Sequence, residues 1–342
     1  MIRFGAGRRS LALGLPLVWG AAAVTYKLVC PLDDQTGLGA RIVTSAVFFA
    51  VGTGLVLHVR RGPLRELKQA RRVAGVAQDA LLRPPPPRVG GLGVAAAQLS
   101  ADRGATVGGD LYEVIATEYG VRVVIGDVRG HGMAALGTAS AVLGSFREAG
   151  HDEPGLDRVL HRLDRALARR LRERQLAEHG EEFVTVLLLE IGPDGDVRAL
   201  NCGHPWPYRL WETEVEPLAR TGPLPPLGLF PLPADLPAVP CGRLRPGEAL
   251  FLHTDGVTDA RDGHGRFFPL ELVLAGALRQ GPPTPQSVLG TVFTRLLRHT
   301  SGRPTDDIAL LVLRDERLPA HPKGARGTAR PATTHPQPTM HS

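Results

Sequence analysis

Near its start the chain carries two long apolar stretches. Leu11–Val29 is broken by one charge, Lys27, and Ile42–Val59 has only Thr44, Ser45, Thr53 and His58 as polar side chains. At 19 and 18 residues, each approaches the roughly 20 that a helix needs to cross a hydrocarbon core. Arg8 and Arg9 precede the first stretch, and Arg60 and Arg61 follow the second. The positive-inside rule then predicts a transmembrane hairpin over residues 1–61, with helices at about 11–29 and 42–59 and both ends cytoplasmic. A signal peptide ending near Ala21–Ala23 is the alternative for the first stretch.

Beyond the hairpin the pattern becomes periodic. Within the linker 62–88, Leu67, Ala70, Ala74, Ala77 and Leu81 step by three and four, a heptad-like seam that offers a homodimer contact. A membrane-surface helix is the other reading, and Pro84–Pro87 end either one. Strand-like runs follow at Val121–Gly126, Phe183–Ile191, Ala249–His253 and Ile308–Leu313. Helical periodicity falls at Met133–Glu148, Leu156–Leu176 and Gln286–Arg298. Residues 315–342 lack periodicity and are rich in Pro, Thr, His and Arg, which predicts a disordered tail.

Composition narrows the classes. In 342 residues, 43% hydrophobic and 22% charged side chains exclude a chain disordered throughout. Three separated cysteines, Cys30, Cys202 and Cys241, exclude a disulfide framework and a structural zinc knuckle. Only Lys27, Lys68 and Lys323 are lysine, so the basic residues are nearly all arginine, as in GC-rich coding. Arg60–Arg88 holds eight basic residues against Glu66 and Asp79, which accounts for the whole net charge of +6. The surplus reads as a juxtamembrane cluster for anionic headgroups, and no nucleic-acid partner is expected.

The chemistry is carried by aspartates at strand boundaries. Asp110 closes the turn TVGGD, Asp127 follows VRVVIG, Asp255 follows ALFLHT, and Asp306 and Asp307 stand before IALLVL. Each acid lies where a buried strand meets a loop. Gathering such carboxylates is costly unless a cation joins them, and oxygen-only ligands favour hard divalent ions. Two bridged ions would activate water for in-line displacement at phosphorus. Taken singly, each aspartate also suits a turn or a helix N-cap.

In order, VGGDLYEV, VVIGDVRGHGMAA, FVTVLLLEI, NCGHPWPYRL, PLGL, LFLHTDGVTDARD and PTDDIALLVL resemble the metal-dependent (PPM-type, protein phosphatase 2C-like) serine/threonine phosphatases of the sporulation stage II E branch. The resemblance implies an α+β fold, an α-β-β-α sandwich of two antiparallel sheets flanked by helices, over residues 89–314. It implies two Mn2+ or Mg2+ ions held by Asp110, Asp127, Asp255 and Asp306 with the main-chain carbonyl of Val128, Asp307 competing with Asp306. A metal-activated water would attack phosphoserine or phosphothreonine directly. The implied partner is a phosphorylated regulatory protein, an anti-sigma-factor antagonist in a partner-switching pathway. Glu113 replaces the family's usual aspartate, while Arg129 and His131 stand where relatives place a histidine; these two are read as phosphate binder and general acid, or as a solvated turn. His204 and Gly228 are read as loop-fixing, and Asp259 as a support for Asp255 or a surface residue. The alternatives are a catalytically silent phosphoprotein-binding scaffold and, from GGD alone, a nucleotide cyclase. The expected localisation is the cell membrane, multi-pass, with the catalytic domain inside.

Overall fold

Apolar runs with no polar alternation must be covered on both faces, and that requirement sets the layering here. The computed structural model describes residues 84–99, 108–130, 132–175 and 182–317, preceded by Trp19, 42–43 and 46–54. Eleven strands among these form two sheets. The six-stranded sheet has the order β1 (Arg88–Val89), β2 (Leu92–Leu99), β11 (Ile308–Asp315), β10 (Ala249–His253), β7 (Tyr208–Trp211), β8 (Glu214–Pro217). The five-stranded sheet has the order β3 (Asp110–Thr117), β4 (Gly120–Val128), β5 (Val184–Ile191), β6 (Asp196–Cys202), β9 (Val239–Arg243). All strand pairs are antiparallel.

The core has three parts, as a four-layer stack requires. Helices α1 (Met133–Asp152) and α2 (Leu156–Gln175) bury Val142, Phe146, Leu160, Leu163 and Leu167 against one face of the five-stranded sheet. Tyr112, Val123, Ile125 and Leu187 meet Leu250, Leu252 and Leu311 between the sheets. The outer face of the six-stranded sheet carries α4 (Leu270–Leu278) and α5 (Pro285–His299), through Leu274, Val288 and Val292. Thr284 caps α5, its hydroxyl accepting the Ser287 amide at 3.2 Å, and Pro285 opens the first turn. A one-turn helix α3, Asp255–Thr258, follows β10.

Two arginines brace the stack. Arg122 on β4 is fully buried and sits opposite Glu190 of β5, donating from Nε at 2.9 Å and from Nη2 at 2.7 Å to Oε2. Its guanidinium also donates to the carbonyls of Gly150, Glu153 and Pro154, closing the C-terminal end of α1. Arg317, beyond β11, grips the Asp315 carboxylate and donates to the carbonyls of Gly192 and Pro193 in the β5–β6 turn. The two sheets are thereby joined at one end.

The sequence-based expectation of a two-helix transmembrane hairpin, and with it a multi-pass membrane localisation, is overturned. Among the described residues no helix is long and apolar enough to cross a membrane. In the second stretch the described helical residues are 42–43 and 46–54. Gly14, Pro16 and Gly20 in the first stretch and Gly52 and Gly54 in the second lower intrinsic helix propensity, which a hydropathy window does not register. The rest of both stretches, the linker up to Arg83 and the tail beyond Arg317 lie outside the described residues.

Replacing Arg122 by Met should destabilise the domain by about 3 kcal/mol or more, because Glu190 and three carbonyls lose their donor at once. Urea denaturation checks this, and adding Glu190→Gln should recover part of the loss. A change below about 1 kcal/mol would show that the brace is dispensable.

Candidate functional site

The strand ends bring the sequence-predicted acids to one edge, between the sheets. Asp110 opens β3 and pairs directly with Asp127 of β4. Side chains alternate along a strand, so both carboxylates point the same way as Tyr112 and Ile125, into the gap between the sheets. From the other sheet, Asp255 begins α3 where β10 ends, and Asp306 and Asp307 immediately precede β11. Asp110 is buried, Asp127, Asp255 and Asp307 are half-buried, and Asp306 is exposed. Asp306 Oδ1 accepts the Asp307 amide at 2.8 Å. The capping oxygen at this turn therefore belongs to Asp306, while the Asp307 carboxylate lies against Gly108.

Three glycines make the convergence sterically feasible. A Cβ on Gly109 would strike the Val128 carbonyl oxygen and come within 2.7 Å of Asp127 Oδ1. One on Gly108 would meet Asp307 Oδ2 at 2.6 Å, and one on Gly256 would collide with the Asp307 carbonyl. The GGD and DG sequences are thus places where backbone and carboxylate approach more closely than a side chain allows.

The acids disturb one another. Burial, then Asp127, Asp307 and Asp255, push the Asp110 carboxyl well above its usual range, while a hydrogen bond from Thr254 opposes this. Burial together with Asp255, Asp306 and Asp307 raises Asp127 to about 7. Burial, Asp306 and Asp259 raise Asp255. For these three groups the opposing influences are hydrogen bonds alone. Carboxylate and carbonyl oxygens with Gly-lined clearance suit a hard divalent cation. Among the described residues, however, no group of three or more His, Cys, Asp or Glu is already arranged to hold a metal ion. The donor chemistry fits, and the side chains would have to close around the ion.

Thr254 was not singled out by the sequence. It is fully buried, and its hydroxyl donates to Asp110 Oδ2 at 2.9 Å while accepting the Ala309 amide of β11 at 2.9 Å. It stands at the N-cap of α3 without making the cap hydrogen bond. A second tether runs behind Asp127. The Asp127 amide donates to Thr185 Oγ1 at 3.3 Å, and that hydroxyl lies 3.1 Å from His204 Nδ1. Asn201 holds the backbone of His204 through its side-chain amide on both sides, at 2.8 and 2.9 Å. Burial, with His253 beside it, lowers His204 to about 3, so this imidazole is neutral.

Other candidates fall elsewhere. Glu113 is ion-paired with Arg147 of α1 at 2.5 Å, on the helix side of the sheet. Arg129 is exposed beside Val128, its guanidinium 5.1 Å from the Phe183 ring centroid. Gly228 adopts φ 92° and packs near Leu167, and Asp259 is exposed after α3. His131 lies outside the described residues. Burial pushes the Cys202 thiol up to about 12 and the Cys241 thiol up to about 11, which disqualifies both as nucleophiles.

Residues 117–315 match the family Stage II sporulation protein E (SpoIIE). Solved structures share the fold. The RsbU and RsbW domains of a Mycobacterium tuberculosis protein are 23% identical with a TM-score of 0.53, covering 68% of this chain and 61% of theirs. The SiaA PP2C domain of Pseudomonas aeruginosa is 19% identical with a TM-score of 0.53, covering 75% and 98%. The PP2C phosphatase domain of SpoIIE from Bacillus subtilis, with a fragment of its regulatory domain, is 19% identical with a TM-score of 0.50, covering 67% and 64%. The chain thus spans less than two thirds of the mycobacterial and Bacillus chains. With more than half of its length matched, the chain belongs to the SpoIIE family of PPM-type protein serine/threonine phosphatases.

Proposed function

We propose that the domain hydrolyses phosphoserine or phosphothreonine on a protein, using two Mn2+ or Mg2+ ions held by Asp110, Asp127, Asp255 and Asp306 with the Val128 carbonyl. Asp307 is the alternative to Asp306. The observation that carries this reading is the meeting of five carboxylates from both sheets at one edge, with glycine clearance around them. When bound, the ions supply an activated water and neutralise charge on the phosphoryl oxygens.

The chain's own residues hold this arrangement. Thr254 fixes the rotamer of Asp110 by occupying one of its oxygens, which leaves the other for an ion. The His204–Thr185 tether fixes the backbone at Asp127. Arg129, exposed with its guanidinium over the Phe183 ring, would receive the phosphate of an incoming substrate. No side-chain nucleophile is needed, in keeping with the two buried protonated thiols.

For the substrate we propose a phosphorylated regulatory protein, an anti-sigma-factor antagonist of a partner-switching pathway. Membership of the SpoIIE family supports this, as does the solved relative that carries RsbU and RsbW domains.

Three outcomes are expected. The full chain should dephosphorylate a phosphoserine peptide only with Mn2+ or Mg2+, and Asp127→Ala or Asp255→Ala should lower kcat by at least about 1,000-fold. Turnover in chelator, or full activity in both variants, would sink the proposal; calorimetry showing no metal uptake would favour the silent scaffold. Thr254→Val should weaken Mn2+ binding and lower kcat by about tenfold or more with KM nearly unchanged, and Thr254→Ser should restore both.

The third outcome concerns pH. The folded carboxyl of Asp127 is raised above its unfolded value to about 7, so its contribution is fully present below about pH 4 and is lost as pH rises through about 7, and Asp110 and Asp255 are raised in the same direction. Thermal melts should show Mn2+ stabilising the protein more at pH 8 than at pH 5, and Asp127→Asn should flatten that difference. Equal stabilisation at the two pH values would contradict the metal assignment.

A further inference from the structure

The outer face of the α1–α2 pair holds a groove of about 540 Å³, well removed from the aspartate cluster in sequence and layer. Its floor is made of small residues, Ala141, Gly144 and Ala166, and its walls carry Arg162, Arg165, Arg169 and Arg170 from α2. Arginine is abundant in this chain, so number alone means little. Placement means more. The two helices run antiparallel, joined by a short turn, and α2 turns its leucines to the core, so these arginines line the groove.

The ends of the row are already engaged. Arg162 faces Glu153 at 3.3 Å, Asp152 at 3.5 Å and Glu148 at 3.7 Å, and Arg170 faces Glu173 at 3.7 Å. Arg165 and Arg169, between them, are exposed and form no ion pair with a described residue, although the charge of Arg165 acts on the neighbouring Asp164. Arg170 is set into the wall in an unusual way. Its guanidinium lies over Gly137 of α1, where any Cβ would collide with Nη2. A mid-helix glycine weakens a helix relative to alanine, and here it clears the space that this guanidinium occupies. Among the described residues, Arg170 Nε is buried without a hydrogen-bond acceptor.

We propose that this groove docks an acidic segment of a protein partner, its carboxylates meeting Arg165 and Arg169 and reaching Arg170 Nε. Arg165 and Arg170 are five residues apart, about 7.5 Å along the helix axis. An extended peptide rises about 3.3 Å per residue and so offers successive carboxylates over that length. Charge complementarity thus selects a short run of Glu or Asp side chains. The inference is independent of the phosphatase chemistry, because none of these residues lies among the proposed ion ligands.

A dye reporting from inside the groove tests this without interference from basic residues elsewhere. The full chain carrying Cys30→Ser and Ser140→Cys, labelled at position 140 with an environment-sensitive fluorophore, is titrated with oligoglutamate. A saturable emission shift is expected, with its midpoint raised about tenfold or more by Arg165→Glu/Arg169→Glu and by the milder Arg165→Gln/Arg169→Gln. Arg220→Glu/Arg245→Glu, on exposed positions elsewhere, should leave the midpoint within about twofold. The absence of a shift, a midpoint indifferent to the groove variants, or an equal shift produced by inorganic phosphate would each overturn the proposal. Hydrolysis of p-nitrophenyl phosphate by the groove variants, measured alongside, reports separately on the catalytic reading.

Discussion

Like charges placed directly across a β-ladder repel, and the pairing of Asp110 with Asp127 places two carboxylates in that position. The fold adds to the strain by bringing Asp255, Asp306 and Asp307 from the facing sheet into the same field. No core-packing requirement calls for this arrangement. It persists because the surrounding sheets are over-determined: β4 and β10 are buried along almost their whole length, and neither can shift its register without exposing apolar side chains. The free energy of the core holds the acids together, and a divalent cation would remove the repulsion that the core alone must withstand.

Much of this was legible in the sequence, for a definite reason. Runs such as ALFLH, buried on both faces, have no alternation to misread, so the strand that ends at Asp255 is visible, and β11 is visible in the same way. A hydrophilic residue that terminates such a run has to stand where the sheet opens. The glycines of GGD and DG were legible as turn formers; their second use, clearance for the Val128 carbonyl and the Asp307 backbone, emerges only when β3 pairs with β4 and β10 with β11.

What escaped the sequence depends on partners distant in the chain. Nothing in the sequence singles out Arg122; it is fully buried because Glu190 lies in register on β5 and the α1 carbonyls converge on it. Thr254, which the sequence did not single out, stands at the N-cap of α3, and its hydroxyl turns to Asp110, 144 positions earlier. Glu113 seemed to belong with the acids, but strand alternation sends it to Arg147 on the helix side. The apolar stretches failed differently: hydropathy integrates over a window and does not register helix length, and among the described residues no helix is long and apolar enough to cross a membrane.

The placement of Thr254 makes the site a joint between the sheets as well as a cluster of acids. Its hydroxyl belongs to the β10–α3 corner of the six-stranded sheet, takes its amide from β11, and donates to a carboxylate on the five-stranded sheet. At the other end of β11, Asp315 and Arg317 tie the same strand to the β5–β6 turn of the five-stranded sheet. β11 is thus fastened across the gap at both ends, over a length of about 27 Å. Any sliding of one sheet over the other must break a buried hydroxyl–carboxylate bond at the site or the arginine clamp opposite. Ion geometry at the edge is thereby coupled to the packing of the whole inter-sheet core, and a core substitution that tilts the sheets should act on the aspartates through Thr254 before it unfolds either layer.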